Sequence, residues 1–155
     1  MADGDDVWMD QALETARAAV QSGNTPVASV IVKDGVKIGE GSNQAAGQRN
    51  PILHAEIVAI QDACRRLGSV ELVGATLYST MEPCPMCAWA IHSAGIKRVV
   101  LGARHADLQR TDLGSYSFER LAEMGDMSIE LVTGVRTTEC VTLRRDWTRQ
   151  TGRWA

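Results

Sequence analysis

Nothing in the sequence approaches the roughly 18 consecutive apolar residues that a membrane-spanning helix requires; its hydrophobic residues, 45% of the chain, fall in short runs. The opening stretch Met1-Ala2-Asp3-Gly4-Asp5-Asp6 is acidic, where a secretory leader begins with basic residues and then turns apolar. Cysteine is scarce, four residues in 155, which suits a reducing compartment better than a disulfide framework. Together these absences predict a cytoplasmic protein. Positive charge is not in excess either: 16 Lys and Arg against 19 Asp and Glu leave a net charge of −3, with no general attraction for nucleic acid or an anionic membrane. There is no P-loop, Gly-rich dinucleotide fingerprint, internal repeat or low-complexity tract. One domain over residues 1–155, with an ordinary core, is expected.

What is present reads as alternating helices and strands. Met9, Ala12, Leu13, Ala16 and Val20 recur at helical spacing over Val7 to Val20, and Ser22-Gly23-Asn24 ends the pattern. Val27 to Val32 and Val36 to Gly41 are strand-type runs joined by Asp34-Gly35, a strong hairpin signal. After a loop from Gln44 to Pro51, a second helix is predicted over Ile52 to Leu67 and a strand over Ala75 to Thr80. A third helix starts at the cysteines, with Pro85 in its first turn, and stops at Gly95; Lys97 to Ala103 is a buried-type strand. Because helices separate these later strands from the hairpin and from each other, parallel pairings are expected. A polar loop from Arg104 to Gly114, a weak helix over Ser115 to Met124, a strand over Ser128 to Thr133 and a helix over Val135 to Trp147 complete the chain.

Two short stretches carry chemistry: His54-Ala55-Glu56 and Pro83-Cys84-Pro85-Met86-Cys87. Cys84 and Cys87 have the C-x-x-C spacing with which one helical turn grips a metal ion, and a helix N-terminus favours their thiolate form. His54 offers a third ligand of the kind zinc takes. Three protein ligands leave one coordination position for water, the hallmark of a catalytic rather than a structural site. Glu56, two residues beyond His54, is then a carboxylate the metal does not need and a candidate base. Cys64 and Cys140 read as small buried hydrophobes. The start of the chain is acidic, and the arginines from Arg136 onward read as a solvated helical face, or as a strip that follows phosphates. Trp147 and Trp154 read as a tail over the pocket or as packing for the last helix.

A His-x-Glu at one helix start and a Pro-Cys-x-x-Cys at the next resemble the zinc-dependent cytidine and nucleobase deaminase superfamily. The resemblance extends over most of the chain. It implies an α/β fold of cytidine deaminase type, a three-layer α/β/α sandwich around a five-stranded mixed sheet. It also implies one Zn2+ per chain held by His54, Cys84 and Cys87, and a Glu56 that carries a proton from water to the ring nitrogen and then to the departing amine. The family's pocket asparagine matches Asn43, and backbone N–H groups of Ala55 and Cys84 would meet the reacting centre.

Phrases such as Leu77-Tyr78-Ser79-Thr80-Met81-Glu82-Pro83-Cys84 and Ile91-His92-Ser93-Ala94-Gly95-Ile96 resemble both free-base deaminases, for guanine or cytosine, and bacterial tRNA adenosine deaminases. The expected function is hydrolytic deamination of an aminated base, nucleoside or related small heterocycle. Deamination of the tRNA wobble adenosine is the alternative. The negative net charge and Trp89, which stands where both groups carry a small residue, speak against tRNA; the Ile91-His92-Ser93 segment, the Gly102-Ala103-Arg104 segment and the arginine-bearing last helix speak for it. Trp89, Asp112 and Glu119 are candidate substrate contacts, the two acids as acceptors for guanine. An inactive zinc scaffold, with His92 or His105 as fourth ligand, is the reading from another class. The resemblance favours a homodimer.

Overall fold

The computed structural model describes residues 2–153. In chain order it comprises α1 (Ala2–Gln21), β1 (Ala28–Lys33), β2 (Val36–Ser42), α2 (Ala45–Gln48), α3 (Ala55–Leu67), β3 (Thr76–Met81) and α4 (Pro85–Ser93). Then come β4 (Arg98–Ala103), a 3-10 turn (Ala106–Leu108), α5 (Phe118–Met124), β5 (Glu130–Val132) and α6 (Thr137–Thr151). The strands form one mixed sheet in the order β2-β1-β3-β4-β5.

The hairpin turns where expected, with Asp34 and Gly35 both at positive φ, 51° and 73°, the twist that matches two antiparallel strands. Parallel pairing holds for β3 with β4 and β4 with β5. It fails between the hairpin and β3, which meets β1 in antiparallel register. The reason is spatial: α3 lies across both β2 and β1 and delivers the chain to the open edge of β1, so β3 runs in the direction of β2 with β1 between them.

Strand alternation sorts the core into two sides. Ile31, Leu77, Val99 and Leu101 pack with Ala59 of α3 and Ile91 of α4. Val30, Tyr78 and Val100 face the other way, onto Met9 and Leu13 of α1 and Cys140 of α6. Both sides of β1, β3 and β4 are therefore covered, which gives three layers. Close approach on the first side depends on missing side chains in β2. A Cβ on Gly39 would stand 2.7 Å from the Ala59 carbonyl oxygen, and one on Gly41 would stand 2.5 Å from the Ala59 nitrogen. On the second side, Cys140 fits because β4 carries Gly102 beneath it, whose Cβ would lie 2.4 Å from the Cys140 sulfur. Cys140 is thus a buried small residue, as expected; Cys64 is only partly buried at the core's edge.

Several boundaries move. Ile52 and Leu53 belong to the turn before α3, and a short α2 occupies part of the expected Gln44 to Pro51 loop. The weak helix begins at Phe118 because the Ser117 hydroxyl accepts the Arg120 N–H and caps it. The acidic and basic ends of the chain meet: Arg136 bonds Asp10 at 2.8 and 3.1 Å. Trp147 is buried in α6 and packs that helix; Trp154 lies outside the described residues.

Candidate metal and catalytic site

Strands β2, β3 and β4 all run in one direction, so the segments that leave them emerge at one end of the sheet. Asn43 follows β2, Glu82-Pro83-Cys84 follows β3, and Arg104-His105 follows β4. Ligands of open α/β sheets gather at the carboxyl ends of strands for this reason. Here the N-termini of α3 and α4 arrive at the same place.

His54 is the N-cap of α3 and Cys84 the N-cap of α4, both in extended backbone conformation, with Pro85 in the first turn of α4. Neither side chain caps its own helix, so both are available to each other. His54 Nδ1 lies 3.5 Å from Cys84 Sγ and 3.6 Å from Cys87 Sγ. A zinc ion with Zn–S near 2.3 Å and Zn–N near 2.0–2.1 Å in tetrahedral geometry places N and S about 3.6 Å apart. The donor set therefore fits zinc in atom type and in spacing. Among the described residues this is the one group of three or more candidate ligand atoms within 4.8 Å of one another; neither His92 nor His105 joins it, which removes the ground for a sealed four-ligand scaffold.

The electrostatics favour a metal. Cys84 is drawn down to about 4, first by the hydrogen bond from the Cys87 thiol and also by His54, against its burial. The proton stays on Cys87, whose pKa is pushed up by the adjacent Cys84 sulfur and by burial. Two neighbouring sulfurs that share one proton suit a bis-thiolate site, because a bound cation would displace that proton.

Glu56 stands in the first turn of α3 and is 3% exposed. Burial pushes its carboxyl up, against hydrogen bonds from its own backbone N–H and from Cys87. Ser79 Oγ donates to Glu56 Oε1 at 3.1 Å, and Ser29 Oγ donates to Ser79 Oγ at 3.1 Å. Glu56 is not one of the grouped metal ligands, so it forms an acid beside the metal position rather than on it.

His54, Glu56 and Cys84 line a cavity of about 590 Å³, within the usual range for small-ligand sites. Asn43 and Ala55 line it, as does Asp112. The Asn43 side-chain oxygen accepts the Ala45 N–H at 3.0 Å, which leaves its NH2 group to meet a ligand. Ala55 and Cys84 sit at helix starts, where backbone N–H groups have no partner within the helix. Asp112 is already paired with Arg110. Two expected contacts are not on the cavity. Glu119 pairs with Arg104, and Trp89 is 48% exposed on α4, edge-on to His92, because the helix start that turns Cys84 and Cys87 inward turns position 89 outward.

Sequence reasoning gave no site role to Glu82, Arg110 or Arg144, and named His105 only as the fourth ligand of an inactive scaffold. Glu82 is buried and accepts from Arg104 Nε, the His105 N–H and the Phe118 N–H, at 2.9, 3.1 and 2.8 Å. Burial raises its pKa, yet those three donors outweigh it and hold the carboxyl below its usual value. It ties the segment after β4 to the end of β3, and so forms one wall of the cavity. His105, Arg110 and Arg144 also line the cavity. The position of Glu82 beside Pro83-Cys84 was the only signal available for any of them.

A three-ligand metal position with a buried carboxylate beside it, at the carboxyl end of a mixed sheet, defines a hydrolytic metal enzyme. Residues 3–103 match the family described as the cytidine and deoxycytidylate deaminase zinc-binding region. The tRNA-specific adenosine deaminase of Bacillus subtilis is 36% identical over 136 residues, 88% of this chain and 83% of that protein. The guanine deaminase of the same organism is 41% identical over 103 residues, 66% of each. A solved guanine deaminase from Nitrosomonas europaea superimposes with a TM-score of 0.84 at 25% identity, covering 93% of this chain and 84% of that one. The chain belongs to this zinc-binding deaminase family, and with it to the hydrolases of carbon–nitrogen bonds other than peptide bonds.

Proposed function

We propose that the protein hydrolyses the exocyclic amino group of a purine or pyrimidine base or nucleoside, giving the oxo compound and ammonia. The observation that carries this is the pairing of a zinc-spaced His54, Cys84 and Cys87 with a buried Glu56 that lines the cavity and is not one of the grouped ligands. Bound zinc supplies Lewis-acid activation of water at neutral pH. The chain's own residues do the rest. Glu56 takes a proton from the attacking water at a carboxylate oxygen, passes it to the ring nitrogen, and then returns a proton to the leaving amine. Its burial supports this role, because burial raises the carboxyl's affinity for the proton it has to accept. The Asn43 NH2 group and the N–H groups of Ala55 and Cys84 orient the ring and the developing charge. The bland polar positions are easy to separate from these: Asp112 and Glu119 are ion-pair partners first.

A second reading is specific to one finding, the similarity to tRNA-specific adenosine deaminases over most of both chains. In that reading the heterocycle is a base flipped from an RNA loop. Against it stand the net charge of −3 and a C-terminal helix whose Arg136 and Arg149 face Asp10 and Asp146. Among the described residues no helix is long and apolar enough to cross a membrane. A cytoplasmic location and a homodimeric assembly remain part of this proposal.

Ammonia release from guanine, cytosine, adenine and their nucleosides, with an anticodon stem-loop as a further substrate, tests the two readings together. Release from a free base or nucleoside supports the first. Release only from the stem-loop, with binding that weakens steeply as salt rises, supports the second. Release from none of them contradicts both.

A further inference from the structure

We propose that residues 105–117 form a substrate-selecting loop and that Glu82 is the positioning residue that holds this loop by both ends, an inference that rests on the deaminase reading above. Substrate choice would then sit in a part of the chain separate from the metal ligands and from the proton carrier.

Glu82 follows β3 and is 4% exposed. Its Oε1 accepts from Arg104 Nε at 2.9 Å and from the His105 N–H at 3.1 Å, where the chain leaves β4. Its Oε2 accepts from the Phe118 N–H at 2.8 Å, where α5 begins. One carboxylate thus takes the N–H at the start of the segment and the N–H just past its end, and closes the segment into a loop. The Glu82 N–H donates to the Ala103 carbonyl at 2.8 Å, so the backbone that carries this carboxylate is itself fixed to β4. A second tie runs from the Tyr116 hydroxyl to the Pro83 carbonyl. Between its ends the loop contains one short 3-10 turn and local backbone bonds, from Arg110 to His105, Gly114 to Thr111 and Tyr116 to Leu113. Compact loops with their ends held close are frequently functional.

Four side chains of this loop, His105, Arg110, Asp112 and Leu113, line the same cavity as His54, Glu56 and Cys84. An imidazole, the Arg110–Asp112 ion pair and an apolar group give the loop donors, acceptors and a contact face for the edge of a heterocycle or its substituent. Glu82 acts through them. Three donors occupy its two oxygens, and it is not in the group of candidate metal ligands. His54, Glu56, Cys84 and Cys87 all fall within residues 3–103, the stretch that matches the zinc-binding family, and the loop comes after it. The two parts are also held differently. The metal ligands and Glu56 stand at the starts of α3 and α4, whereas the loop keeps its place in the cavity wall through hydrogen bonds at its base.

Glu82→Gln separates the two functions. An amide of the same shape keeps one acceptor oxygen and turns an NH2 group toward the donors at the other end, so one end of the loop is released. The test compares zinc-loaded wild type and Glu82→Gln by zinc content, hydrogen exchange, and ammonia release from guanine, cytosine, adenine and their nucleosides. KM for the preferred substrate is expected to rise about tenfold, with kcat within about twofold and zinc content unchanged. The preference for that substrate over the next best, as a ratio of kcat/KM, is expected to fall about threefold or more. Exchange is expected to quicken over residues 105–117 and to stay as it was over α3 and α4. Tyr116→Phe, which removes the second tie and leaves Glu82 in place, is expected to move KM and exchange in the same direction, and it carries the comparison should Glu82→Gln not fold. A fall in kcat at unchanged KM, or a loss of zinc, would put Glu82 with the metal centre; exchange quickened throughout the chain would make it a general support of the fold. Either result overturns the loop's role, as does an unaltered substrate preference. If the wild type releases ammonia from no heterocycle, the deaminase reading falls by itself; faster exchange confined to 105–117 then still supports the tie, and equal exchange in both proteins removes it.

Discussion

Ser79 of β3 and Glu56 of α3 meet inside the molecule, Oγ to Oε1 at 3.1 Å, with Ser79 wholly buried and Glu56 nearly so. The single proton of Ser79 is shared between Glu56 and the Met81 carbonyl, 2.8 Å away, and Ser29 donates to the same hydroxyl. A carboxyl that must gain and lose a proton without moving needs such a partner. Ser79→Ala is therefore expected to lower kcat about tenfold, with KM and zinc content close to wild type. Steady-state kinetics with metal analysis checks this. An unchanged kcat would mean that Glu56 is positioned by the helix alone.

Removal of metal is expected to act on stability as well as on activity. His54, Cys84 and Cys87 bring together the starts of α3 and α4, and a ligand that binds only the folded chain at a thousand times its Kd adds about 4 kcal/mol. Chelation should thus lower Tm by about 10 °C, zinc should restore it, and Cys87→Ala should respond to neither. Differential scanning fluorimetry with and without chelator measures the effect.

The glycines of β2 predict a distant effect on the site. Gly41→Ala would drive a methyl group into the Ala59 nitrogen, which is backbone and cannot swing aside. A loss of about 2–3 kcal/mol is expected, accompanied by reduced zinc affinity, because α3 must lift and carries His54 with it. Denaturant unfolding and a zinc titration of the same variant test the two parts separately.

Far from the site, Asp5 of α1 accepts two hydrogen bonds from Arg98 of β4, at 3.0 and 2.9 Å, and one from the Tyr78 hydroxyl at 2.9 Å. Arg98 holds its carboxyl below the ordinary value of 3.8, against burial and with help from Tyr78. A carboxyl lowered on folding stabilises the fold above its unfolded pKa, and that contribution fades as pH falls through the lower folded value. Asp5→Asn is expected to cost about 2–3 kcal/mol at neutral pH and to flatten the loss of stability below about pH 4. Unfolding curves across that range provide the check.

The periodic parts of this molecule were legible from residues alone. Asp34-Gly35 turned where its positive-φ preference requires, and the cysteines opened a helix because Pro85 cannot sit further inside one. The edge that β3 chose was not legible, because it depends on where α3 lies, and that depends on Gly39 and Gly41, which read only as breaks in a strand. In the same way the metal ligands announced themselves through spacing, whereas His105, Arg110 and Arg144 did not. Two sit in an aperiodic segment and the third on a helix whose arginines look alike in sequence, although only Arg144 is turned inward to the cavity while Arg149 is left outside facing Asp146. Trp89, conspicuous in the sequence, is half exposed on α4 and does not line the cavity.

The most direct measurement compares zinc content and ammonia release for the wild type and Glu56→Gln, on whichever heterocycle the wild type consumes. One zinc per chain in both proteins, with ammonia release in the variant reduced by a factor of 100 or more, about 3 kcal/mol or more of barrier, is the predicted result. A variant that retains its metal and still releases ammonia at the wild-type rate would contradict Glu56 as the proton carrier, and with it the chemistry assigned to this site.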